Sequence, residues 1–154
     1  MKIRDMISKG EPTVSFEIFP PKSSYSLDTV FDTLHDLNDL HPDFISVTYG
    51  AGGTAQSNTV EIASRIKKDF GIESIAHLTG CTSTKEGMKR TLASIKDSGI
   101  ENILALRGDI PQEKLADKNW KPEYRYASEL IDDIKAAGDF SIGAACYPEG
   151  HVDS

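Results

Sequence analysis

Little in this sequence is cationic, sulfur-bearing or continuously apolar, and each shortage closes off a class of function. Lysine and arginine number 17 against 24 acidic residues, a net charge of −7, so the clustered cations that a phosphate backbone demands are missing. Nucleic-acid binding is therefore not expected. No apolar run approaches the roughly 20 residues that span a bilayer, and the start, Met1-Lys2-Ile3-Arg4-Asp5, lacks the apolar stretch of a signal peptide. A membrane is not an expected partner, and the expected location is the cytoplasm. Cys81 and Cys146 are the only cysteines and form no Cys-x-x-Cys pair, which excludes a disulfide framework and a zinc knuckle. Together with His77 and His151 they show no metal-ligand spacing, so no metal is expected. What remains is 38% hydrophobic and 27% charged, the composition of a soluble globular protein, expected here as a single domain over residues 1–154.

Short apolar runs begin near Thr13, Phe44, Ser74, Asn102 and Phe140, and the segments between them carry apolar residues at helical spacing. In the first such segment Leu27, Val30, Phe31, Leu34, Leu37 and Leu40 share a face, Ser26 is placed to cap it, and Pro42 forbids continuation. Further helices are expected from about Ser57 to Phe70, from about Thr84 to Ser98 with a Ser83/Glu86 capping box, and around Ala127, Leu130, Ile131 and Ile134. Gly71, Gly99 and Gly138 stand where helices should stop, each a place for a left-handed residue. Residues 71–80, GIESIAHLTG, align with residues 99–108, GIENILALRG, at six of ten positions, each copy running from helix stop into strand. Strands and helices in strict alternation imply parallel strands joined by right-handed crossovers, an α/β protein. The polar stretch from Pro111 to Pro122 is expected to be a surface loop.

Side chains alternate faces along a strand, so each run divides into two sets. Val14, Phe16 and Ile18, Ile45, Val47 and Tyr49, Ala76 and Leu78, Leu104 and Leu106, and Ile142 and Ala144 form the set suited to lie under helices. The opposite set holds Ser15, Glu17, Ser46, Thr48, His77, Thr79, Arg107 and Tyr147, concentrated at the carboxyl ends of the strands. A doubly wound sheet wants both sets apolar, whereas a (β/α)8 barrel points one set inward and carries its chemistry at the top. The barrel is the expected fold, and this chain covers about five strands and four helices of it.

Glu17 lies inside an apolar strand, where an inward carboxylate costs several kcal/mol unless it is paired or protonated; the plain alternative is an edge-strand glutamate facing water. His77 could be a satisfied core histidine, but its place in the polar set favours a ligand contact. Arg107-Gly108-Asp109 supplies a cation, a close-approach backbone and an acid directly after the fourth strand. The loop Tyr49-Gly50-Ala51-Gly52-Gly53-Thr54 would let backbone N–H groups approach a phosphate, yet it matches neither GxGxxG nor a Walker A pattern.

Taken together, Ser15-Phe16-Glu17-Ile18-Phe19-Pro20-Pro21-Lys22, Ser46-Val47-Thr48-Tyr49-Gly50-Ala51, His77-Leu78-Thr79, Ala105-Leu106-Arg107-Gly108-Asp109, Tyr126-Ala127 and Tyr147-Pro148-Glu149 with His151 closely resemble the flavoprotein methylenetetrahydrofolate reductases. The resemblance implies a (β/α)8 TIM barrel holding FAD, which takes hydride from NAD(P)H and delivers it to 5,10-methylenetetrahydrofolate, yielding 5-methyltetrahydrofolate for methionine synthesis. By the same resemblance Glu17 corresponds to the general acid that protonates folate N10. Asp109 corresponds to the acid close to flavin and folate, and Thr48, His77, Arg107, Gly108, Tyr126, Ala127, Tyr147 and His151 to FAD contacts. The small-molecule partner is then a folate. Five strands alone would expose the edges of the first and fifth, so either copies pair edge to edge, the homo-oligomer expected here, or the chain is part of a longer protein. Two other readings stand beside this one: a barrel hydrolase using Glu17 and Asp109 as a carboxylate pair, and a non-catalytic ligand-binding or oligomerisation module.

Overall fold

All five strands run parallel in a single sheet of order β1-β2-β3-β4-β5: β1 (Ser15–Ile18), β2 (Phe44–Val47), β3 (Glu73–Thr79), β4 (Asn102–Leu106) and β5 (Ser141–Ala144). Between them lie α2 (Asp28–Asn38), α3 (Ala55–Phe70), α4 (Lys85–Asp97), the short α5 (Gln112–Ala116) and α6 (Ala127–Ala137), with α1 (Ile3–Ile7) ahead of β1. This computed structural model describes residues 1–21, 26–49 and 55–150. Each crossover steps one strand in the same direction, so the helices collect on one face of the sheet; a doubly wound sheet would reverse direction at its switch point and cover both.

The covered face is the apolar one. Ile45, Val47, Ala76, Leu78, Ile103 and Ala105 are fully shielded, and against them pack Phe31 and Leu34 of α2, Ile62 and Ile66 of α3, Leu92 and Ile95 of α4, and Leu130 and Ile134 of α6. Each such side chain contributes about 1.5–3 kcal/mol on burial, which is what ties the helices to their strands. The opposite face carries no helix of this set and stays open, lined by Glu17, Ser46, Ile75, His77, Leu104 and Leu106.

Five local expectations are corrected. Leu104 and Leu106 do not lie under the helices: the pairing Ile103↔Ala76 and Ala105↔Leu78 puts Ile103 and Ala105 there and turns the two leucines to the open face. The Ser83/Glu86 capping box does not form. Ser83 is buried with its hydroxyl donating to Thr79 O at 2.8 Å, and Thr84 caps α4 by accepting from the Gly87 amide at 3.0 Å. Gly138, unlike Gly71 and Gly99, is extended, with φ 169°, and what disfavours a side chain there is the Phe140 ring. The helices number six among the described residues, α1 and α5 being additions. The loop from Pro111 to Pro122 is largely exposed but winds one turn as α5. Ser26 does act at the start of α2, accepting the Asp28 amide at 3.1 Å, because Leu27 between them is already helical.

At the amino-terminal end of the strands, α1 closes the sheet. Buried Asn102 accepts from the Ile3 amide at 2.7 Å and donates to the carbonyls of Met1 and Ser74, both at 3.2 Å. Above it a charge network joins the Met1 amino group, Lys67, Glu73 and Glu101, with Lys67 2.7 Å from Glu101. Hydrogen bonds from Lys67 and then from the Met1 amino group lower the Glu101 carboxyl to about 2. A depressed carboxylate stabilises above its unfolded value of 4.5 and loses that contribution as pH falls through about 2. Glu101 is 41% exposed, so the contribution is screened to about 1 kcal/mol. Urea midpoints taken from pH 5 to pH 2 should therefore fall less in Glu101→Gln than in the parent, with the two proteins converging at the acid end.

Candidate functional site

The site is assembled on the open face, at the carboxyl ends of the strands. Glu17 of β1 stands in register with Ser46 of β2 and Ile75 of β3, and His77 follows two residues later on β3. The Glu17 side chain leans across β2, so that its Oε2 accepts from Ser46 Oγ at 3.3 Å and lies 3.6 Å from His77 Nε2. Burial is not what governs Glu17. Its side chain is 50% exposed on the edge strand, correcting the expectation of an inward carboxylate in an apolar surround. His77 is the buried partner, at 5% exposure. Burial lowers its pKa, against the weaker opposing pull of Glu17, so the imidazole is neutral at neutral pH and the contact is polar rather than an ion pair. At 3.6 Å it is also too long for a hydrogen bond, and His77 Nε2 is shielded from water without a partner.

A second group forms where β3 and β4 run on past their last paired residues. The Gly80 amide donates to Leu106 O at 3.0 Å and the Cys81 amide to Arg107 O at 2.8 Å, so the two strand ends stay laced together. Gly108 follows at φ +79°, pressed so closely on Thr79 and Cys81 that a Cβ would lie 2.8 Å from Thr79 Cβ. The Cys81 thiol donates to Asp109 O at 3.2 Å; burial raises its pKa, although the charge of Arg107 pulls it down. Arg107 and Gly108 are half-buried, and Asp109 is exposed.

Thr48 extends β2 by one step, its amide donating to Ile18 O at 3.0 Å and its carbonyl accepting from Thr59 Oγ1 at 2.9 Å. Tyr126 and Ala127 form the start of α6, where the Glu129 carboxylate accepts the Tyr126 amide at 3.0 Å. They are tied to the rim through Tyr124, which is buried against Gly80 and donates from its phenol to Asp133 at 2.6 Å. Burial and that bond push the phenol up. Tyr147 is exposed beyond β5. His151 and residues 50–54 of the glycine-rich loop lie outside the described residues. A cleft of about 580 Å³ lined by Arg4, Lys135, Gly138, Asp139, Phe140 and Ile142 sits at the amino-terminal end of the strands, away from all of these groups.

Ser46, Cys81 and Tyr124 carry no role in the sequence-based site. Ser46 belongs to the polar alternation, but only strand register reveals that it opposes Glu17. Cys81 is considered there only as a metal ligand, and Tyr124 sits in a polar stretch with no periodicity to flag it.

The chain as a whole has relatives. The methylenetetrahydrofolate reductase family matches residues 2–154. The chain is 39% identical over 146 residues to the 5,10-methylenetetrahydrofolate reductase of Pectobacterium carotovorum subsp. carotovorum, covering 95% of this chain and 47% of that protein. It is 38% identical to that of Escherichia coli (strain K12), with the same coverage, and 36% identical over 154 residues to methylenetetrahydrofolate reductase (NADH) 1 of Arabidopsis thaliana, covering 99% of this chain and 26% of that protein. It thus spans about half the length of the bacterial relatives, 47%. Among solved structures, the 4-hydroxy-tetrahydrodipicolinate synthase of Methylacidiphilum fumariolicum SolV is similar over 90% of this chain and 45% of that one, with TM-score 0.55 and 16% identity, a likeness of fold.

Proposed function

This chain belongs to the methylenetetrahydrofolate reductase family, a (β/α)8-barrel family, and from that premise we propose that it supplies the amino-terminal part of a barrel that reduces 5,10-methylenetetrahydrofolate to 5-methyltetrahydrofolate. One observation carries the reading: a solvent-reachable carboxyl, Glu17, lies beside a buried, neutral histidine whose Nε2 lacks a partner, on the one sheet face that the helices leave open.

Bound FAD would supply the redox chemistry, accepting hydride from NAD(P)H and passing it to the methylene carbon of the folate. The residues present fit such a group. His77 Nε2 offers an unmet hydrogen-bonding atom on the open face. Arg107 contributes positive charge, on a chain whose net charge is −7, for an anionic cofactor. Gly108 brings backbone to the rim without a side chain in the way, and Thr48, Tyr126, Ala127, Tyr147 and His151 are further contacts in this reading, with Asp109 close to the reacting rings. Glu17 gives its carboxyl proton to folate N10. The bond from N10 to the methylene carbon then breaks with its electron pair staying on N10, and the N5 lone pair completes an iminium, leaving Glu17 as a carboxylate. The product would feed methionine synthesis, in the cytoplasm, in a homo-oligomer.

The test is the colour and turnover of the full-length protein. Purified protein should show flavin absorbance, or acquire it on adding FAD, and should oxidise NAD(P)H when methylenetetrahydrofolate is supplied. A colourless protein that takes up no FAD would refute the reading.

A further inference from the structure

We propose that Ser46 is a positioning residue for the proton donor, holding Glu17 by one oxygen so that the other carries the proton. The inference rests on Glu17 being that donor. A glutamate side chain has several free torsions, and holding it in one rotamer costs entropy that some contact must offset. Here it crosses β2 toward His77. Ser46 is what lies beneath it. The two residues are register partners, Ser46 is buried, and its hydroxyl donates to Glu17 Oε2 at 3.3 Å. His77 Nε2 approaches the same oxygen but stops at 3.6 Å, so the serine is the donor of the pair. A protonated carboxyl keeps one carbonyl oxygen and one hydroxyl, and Oε2 can accept from Ser46 in either protonation state. With Oε2 accepting from Ser46, the proton of the acid form is thereby assigned to Oε1.

The experiment uses the full-length, FAD-loaded protein and reads two signals. The first is the pair of half-reactions. Ser46→Ala should lower kcat for methylenetetrahydrofolate reduction about tenfold, with its KM and the NAD(P)H half-reaction little changed, whereas Ser46→Thr, which keeps the hydroxyl, should restore it. The second is the infrared carboxylate band of Glu17, identified by its loss in Glu17→Gln. It should move in Ser46→Ala and stay put in Ser46→Thr. Where Ser46→Ala does not fold, Ser46→Cys takes its place, its weaker thiol donor moving the band in the same direction. An unmoved band, or a Ser46→Ala protein that reduces folate at the parent rate while Glu17→Gln does not, overturns the positioning role alone. Full folate reduction by Glu17→Gln overturns the reading beneath it as well.

Discussion

Glu17→Gln in the full-length protein should lose about 10²- to 10⁴-fold in methylenetetrahydrofolate reduction, the contribution of a positioned general acid, while reduction of the flavin by NAD(P)H proceeds within about twofold of the parent rate. The structure explains why this loss should be chemical rather than conformational. The contact of Glu17 with His77 is not an ion pair, because His77 is neutral, so removing the Glu17 charge breaks no salt bridge. Glutamine keeps a carbonyl oxygen able to accept from Ser46. His77 loses the one charge that opposes its burial and so remains neutral. Urea stability of the variant should therefore match the parent or slightly exceed it. Rapid-mixing measurements of the two half-reactions, run separately without oxygen, make the comparison. Folate reduction at the parent rate would remove Glu17 from the chemistry.

How far this site could be read from the chain depended on whether one face of each strand differed chemically from the other. In β1 to β3 it did: the Glu17, Ser46 and His77 alternation is visible beside Phe16, Ile45 and Ala76, and the structure places the first three on one open face. In β4 it did not. Ile103, Leu104, Ala105 and Leu106 are all apolar, alternation carries no signal, and only the pairing with β3 decides that Ile103 and Ala105 face the helices. Glu17 is half-exposed here for a related reason: an apolar strand predicts an apolar surround only when both its neighbours are present, and in this sheet β1 pairs with β2 alone. Short elements escape because a helix of five residues, such as α1 or α5, offers too few turns for a periodicity. Ser74 and Asn102 mark the beginnings of apolar runs in the sequence, but nothing there shows that Asn102 and Ser141 take the α1 backbone into their hydrogen bonds. At the cap of α4, Ser83 and Thr84 are chemically equivalent candidates, and the burial of Ser83 chooses between them.

The comparison with the largest expected effect on stability is Gly108→Ala against Gly71→Ala. Both glycines are left-handed, at φ +79° and +70°, so each substitution carries the backbone penalty of about 1 kcal/mol. Around Gly71 nothing lies within 4 Å of an added Cβ, and the penalty ends there. At Gly108 the added carbon would meet Thr79 Cβ at 2.8 Å, Thr79 Cγ2 at 3.1 Å and Cys81 Sγ at 3.2 Å. None of these atoms can retreat cheaply. Thr79 is in β3, the amides of Gly80 and Cys81 are bonded to the carbonyls of Leu106 and Arg107, and the Cys81 thiol is bonded to Asp109 O. Overpacking of this kind costs a further 1–3 kcal/mol or so, giving about 2–4 kcal/mol for Gly108→Ala in urea unfolding with an unchanged m-value. Relief of the clash must push the segment carrying Arg107 and Asp109 away from β3, and with it away from His77. FAD affinity should therefore fall in Gly108→Ala and hold in Gly71→Ala, and equal costs for the two substitutions would mean that the close approach of β3 and β4 at the rim does not exist.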